Sequence, residues 1–97
     1  MYRVIDSRGT GKTRKLLTEC AANNGLFVTH HPASAIEKCA AYGLMPVQVM
    51  GYYEFLQGHA RGINKPVYID EVEYFIQDVV RSSGGKDLAG YTLNKED

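Results

Sequence analysis

The sequence predicts an α/β fold: a three-layer sandwich around a mostly parallel five-stranded sheet, at minimal size. Three observations carry this. Short β-rich runs alternate with segments of helical period along the chain, the pattern of successive strand–helix units. The run Val67-Tyr68-Ile69 is apolar without polar alternation, as expected for a strand covered on both faces. The length of 97 residues, 44% of them hydrophobic, suffices for one core but not two, so residues 1–97 are expected to form a single domain.

The elements follow in order. Tyr2 to Ile5 reads as the first strand. Thr13 to Asn23 reads as a helix with Leu16, Leu17, Cys20 and Ala21 on one face, and Gly25 beyond its end suits the C′ position. Leu26 to Thr29 is the second strand. After His30, His31 and Pro32, a helix over Ala33 to Tyr42 packs through Ile36, Cys39 and Ala40, and Gly43 stops it. Pro46 to Met50 is the third strand, and Tyr52 to Gln57 a short helix using Tyr52, Phe55 and Leu56. Gly58 to Lys65 is a loop. Pro66 to Asp70 is the fourth strand, and Val72 to Arg81 a helix in which Val72, Phe75, Ile76, Val79 and Val80 hold the i, i+3, i+4, i+7 spacing. Ser82 to Lys86 is a turn, Leu88 to Leu93 the fifth strand, and Lys95 to Asp97 a frayed tail.

Charge is balanced overall but unevenly spread. Residues 1–48 hold six Lys/Arg against three Asp/Glu, whereas residues 49–97 hold five against eight. This suits an early phosphate site and a late carboxylate cluster, and it argues against the strongly basic footprint of a nucleic-acid-binding domain. Cys20 and Cys39 lie in apolar helical registers with no Cys-x-x-Cys or Cys/His pattern, so they read as small core residues in a reducing compartment. With no signal-like, transit-like or membrane-spanning run in view, the expectation is a cytoplasmic protein that does not enter membranes. His30, His31 and His59 read as loop residues, since adjacent histidines face opposite ways and suit no common metal site.

The chemistry is concentrated in two motifs. Ser7 to Thr13, S-R-G-T-G-K-T, follow the first apolar run and open a helix. A glycine-bearing loop there presents several backbone N–H groups to one point, the helix dipole adds positive potential, and Lys12 supplies a full charge, which together trap a phosphate chain. Gly11, Lys12 and Thr13 fit the end of the pattern G-x-x-x-x-G-K-[ST], with Asp6 where its first glycine would stand. The second motif, P-V-Y-I-D-E at Pro66 to Glu71, delivers two adjacent carboxylates from a strand C-terminus. In a parallel sheet those termini share an edge, and ligands bind there. Asp70 can then hold Mg²⁺ beside the Thr13 hydroxyl, and Glu71 can orient or deprotonate an attacking water. The bland alternative for the same acids is an N-cap with a first-turn carboxylate.

Together the motifs resemble Walker A and Walker B of the P-loop NTPases, in the branch with an additional strand and a catalytic glutamate that includes helicase cores, AAA-type ATPases and viral packaging ATPases. The resemblance spans about residues 2–80. It implies a fold of P-loop NTPase type in compact form, with Mg²⁺ and ATP as cofactor and ligand. It further implies a nucleotide-binding set of Arg8, Gly9, Thr10, Gly11, Lys12, Thr13 and Arg14, although Arg14 and Lys15 also suit the solvent face of the helix. Lys12 and Glu71 would be catalytic, Thr13 and Asp70 would serve the metal, and Asn94 or Thr92 would be the sensor at the tip of a fifth strand lying between the two motif strands. Arg61 and Arg81 are the arginines of the acidic half that could act on a neighbouring copy, in a homo-oligomer or larger motor complex.

Three functions compete. The first is ATP hydrolysis coupled to nucleic-acid handling or packaging in a phage or virus, located in the host cytoplasm. The second is a non-catalytic ATP/ADP-binding module acting through oligomerisation or a partner. The third is a degenerate domain serving assembly alone.

Overall fold

Leu26-Phe27-Val28-Thr29, buried along its whole length, is the centre of the molecule. A computed structural model describes residues 1–5, 9 and 11–94. Its elements are α1 (Lys12–Ala22), β1 (Leu26–Thr29), α2 (Pro32–Ala41), β2 (Gln48–Gly51), α3 (Tyr52–Leu56), β3 (Val67–Ile69) and α4 (Val72–Ser82). The strands form one parallel sheet in the order β2-β1-β3, with Leu26 opposite both Gln48 and Val67.

Alternation along β1 splits the core into two clusters. Phe27 points to one side and meets Leu17 and Cys20 of α1 and Ala35 of α2. Leu26 and Val28 point to the other and meet Tyr52 of α3, with Phe55, Ile69 and Phe75 packed around them. Helices therefore lie on both faces of the sheet, which explains why β1 reads as a continuous apolar run. Both cysteines are free and buried, and burial pushes the Cys20 thiol up to about 11. No helix among the described residues is long and apolar enough to cross a membrane.

The five-stranded sandwich is corrected to a three-stranded sheet with four helices. Tyr2 to Ile5 and Leu88 to Leu93 form no strand. An apolar run becomes a strand only where a ladder and a buried face receive it, and Ile5 is 76% exposed. The segment following Ser82 is engaged elsewhere. Gln77 donates to Asp87 at 3.1 Å and accepts the backbone N–H of Leu88 at 2.7 Å, so side chains of α4 capture these groups. β3 packs on both faces, Tyr68 against the first cluster and Ile69 against the second, but among the described residues it pairs with β1 alone and so lies at an edge, where Val67 is 44% exposed. β2 begins at Gln48 rather than Pro46, since proline has no N–H for a ladder.

Glycine roles also shift. Gly43, φ 69°, follows the α2 C-cap Tyr42 as the left-handed C′ residue. After α1 the left-handed residue is Asn24, φ 50°, not Gly25. Gly25 is needed for space instead: a Cβ there would lie 2.6 Å from the Tyr68 ring and 3.0 Å from the Cys20 sulfur. Gly25→Ala is expected to destabilise the fold by about 1–3 kcal/mol through overpacking, read as a lower denaturation midpoint with an unchanged m-value.

Candidate functional site

Parallel strands place Thr29, Gly51 and Ile69 at one edge of the sheet, followed by His30, Tyr52 and Asp70. The N-terminus of α1 meets that edge. The Thr13 hydroxyl donates to both carboxylate oxygens of Asp70, at 3.3 and 3.2 Å, across 57 residues of sequence. The amide of Asp70 donates to the Val28 carbonyl at 2.9 Å, so the ladder itself fixes where this acid leaves the sheet.

The loop ahead of α1 is bent through Gly9 (φ 80°) and Gly11 (φ 78°), the latter being the helix N-cap. Among the described residues a Cβ at either would meet no atom within 4 Å, and the left-handed backbone angle itself favours glycine at both. Lys12 opens the helix, whose first turn holds no acid. Arg8, Thr10 and the loop-entry residue Asp6 lie outside the described residues, as do Lys95 to Asp97. Arg14 lies away from Asp70, with its guanidinium 4.8 Å from the Tyr42 ring centroid. Asn94 and Thr92 follow no strand, and the Asn94 carbonyl accepts a hydrogen bond from Arg3 at 2.8 Å. The strand beside β3 is β1, and Tyr2 to Ile5 is not in the sheet, so the expected sensor strand between two motif strands has no counterpart among the described residues. Arg81 approaches Asp87 at 3.4 Å, and Arg61 is exposed beside Gly58.

Glu71 takes the N-cap position of α4, but with φ 55° and ψ 62° and without a side-chain cap bond. N-caps are ordinarily extended, and a left-handed non-glycine residue carries strain of about 1–3 kcal/mol. Glu71 therefore makes no side-chain capping bond, and its side chain is exposed at the start of α4. The Tyr52 hydroxyl donates to the carbonyls of both Asp70 and Glu71. Sequence reasoning placed Tyr52 only in a helical core. The signal that could have found it is that a buried phenol needs a partner and that Tyr52 follows a strand ending at the ligand edge.

Burial raises the Asp70 carboxyl above its usual value, and the neighbouring Glu71 charge adds to this. The Thr13 hydrogen bond and the charges of Lys38 and Lys12 pull it back. Lys38, on α2, is a contributor that the motifs alone did not single out. Among the described residues no group of three or more His, Cys, Asp or Glu could itself hold a metal. The donor set of one hydroxyl and one carboxylate suits Mg²⁺, which keeps water and takes phosphate oxygens rather than entering an all-protein cage. His30 packs edge-on to His31 at 4.5 Å, lies 3.9 Å from Asp78 and has its ring 5.6 Å from that of Tyr52.

The chain matches no protein-family model, no curated protein and no solved structure. Its function must therefore be argued from the site alone.

The raised carboxyl has a consequence for stability. Between the ordinary carboxyl value and the raised native one, the folded chain holds a proton that the unfolded chain has released. Stability accordingly falls as pH rises through that window. Asp70→Asn is expected to raise the melting temperature at pH 7, with the gain vanishing as pH drops below the ordinary carboxyl value. Melting curves across pH check this.

Proposed function

We propose that the chain binds Mg²⁺–ATP at this edge and hydrolyses it, with chemistry like that of the P-loop NTPases but on a three-stranded sheet. The observation that carries the proposal is the contact of Thr13 with Asp70. The two residues expected to serve the metal, 57 positions apart, share a hydrogen bond. Thr13 and Asp70 would hold the cation, which supplies positive charge against the phosphate oxygens. Gly9 to Thr13 would bind the phosphates through backbone N–H groups and the Lys12 ammonium. Glu71 would take a proton from water as its oxygen bonds to the γ-phosphorus and the bond to the ADP oxygen breaks.

The test is titration with Mg²⁺–ATP alongside turnover. Wild type is expected to bind, Lys12→Ala to lose binding, and Glu71→Gln to bind as wild type with turnover reduced about 10²-fold or more. Absence of binding at millimolar Mg²⁺–ATP would overturn the proposal. Binding without turnover, at concentrations where the chain self-associates, would reduce it to a nucleotide-binding module.

A further inference from the structure

Tyr52 bridges the C-terminal ends of the two outer strands across the middle one. It directly follows Gly51, the last residue of β2. Its ring is buried in the second core cluster, edge-on to Phe75 at 5.2 Å and 5.6 Å from His30. Its hydroxyl reaches past Ile69 to the backbone beyond β3, donating to the Asp70 carbonyl and, at 3.1 Å, to the Glu71 carbonyl. One rigid phenol thus ties down both peptide units that carry the acidic pair.

Those peptide units are where the chain departs from ordinary conformation. Glu71 sits at φ 55°, a region that residues other than glycine, asparagine and aspartate seldom adopt. Its side chain makes no cap bond that would hold it there. Its carbonyl is already the first acceptor of α4, taking the amides of Tyr74 at 2.9 Å and Phe75 at 3.2 Å. A rotation of this turn would redirect the Glu71 carboxylate relative to the Thr13–Asp70 pair at the cost of the first amide hydrogen bonds of α4, leaving β3 formed. The Tyr52 hydroxyl opposes that rotation from a fixed point in the core.

We propose that Tyr52 is a positioning residue: its hydroxyl holds the Asp70–Glu71 turn in the left-handed conformation and so sets where the Glu71 carboxylate lies relative to the Thr13–Asp70 pair. The conformational half of this stands on the turn alone, whereas the catalytic half rests on the hydrolysis proposed above.

Tyr52→Phe keeps the ring and removes only the hydroxyl. Within residues 71–75, the amides of Tyr74 and Phe75, bonded to the Glu71 carbonyl, are expected to exchange about 10-fold faster, the worth of one hydrogen bond, while the amides of α1 and β1 exchange as in wild type. Turnover is expected to fall about 10-fold with Mg²⁺–ATP affinity unchanged, the mark of misplacement rather than lost binding. The double variant Tyr52→Phe/Glu71→Gln should turn over no more slowly than Glu71→Gln alone, because Tyr52 acts through Glu71. Unchanged exchange at 71–75 would overturn the proposal, as would exchange that quickens throughout the core or losses that simply add in the double variant. Local quickening in a chain whose wild type shows no turnover would sink the hydrolysis and leave the conformational role standing.

Discussion

Everything in this molecule is referred to β1. Its four residues are buried, it ladders to both other strands, and its two faces seed both clusters of the core. A chain of this size buries a modest share of its surface, so one strand has to serve two layers at once. The site inherits its geometry from the same strand. The Val28 carbonyl holds the Asp70 amide, and Phe27 packs against the face on which α1 delivers Thr13.

At the sheet edge several groups are held against their intrinsic preferences. Asp70 is partly desolvated and next to another carboxylate, Glu71 is left-handed, and two glycines bend the loop before Lys12. Each costs some stability, and none is needed to form the sheet. Such conflicts between local preference and observed conformation gather at functional sites. Here they surround the one place where Thr13 and Asp70 meet. A dication bound beside Asp70, as proposed above, would relieve part of this by favouring the ionised carboxylate.

Much of this was legible in the residues, for reasons that separate well. Leu26 to Thr29 and the helices that flank it carry their periodicity locally, so they could be placed from composition and spacing. The approach of Thr13 to Asp70 was expected from two parallel strand ends sharing an edge, but only Asp70 follows a strand, since Tyr2 to Ile5 forms none. The strand count did not follow, because Tyr2 to Ile5 and Leu88 to Leu93 look like strands by propensity, and strandness depends on a partner that no local pattern specifies. The same limit hid the edge position of β3, whose apolar run resembles that of a covered strand. Gly25 was assigned a helix-ending role that Asn24 fills, because the approach of Tyr68 is a contact between distant segments. Tyr52 was hidden most completely, since what matters about it is a hydroxyl reaching backbone on another strand.

The long sequence separation between Thr13 and Asp70 also bears on the order in which the chain assembles. β1 can pair with β2 after closing a single helical crossover, whereas β3 joins only after α3 and its following loop have been ordered as well. Loop-closure entropy is spent before such distant pairings return anything. The contact between Thr13 and Asp70 spans the longer of these closures and adds α1 to it. The Thr13–Asp70 contact is therefore among the last this chain can form, and a nascent or truncated chain ending before residue 70 carries the loop ahead of α1 without the acid that meets it.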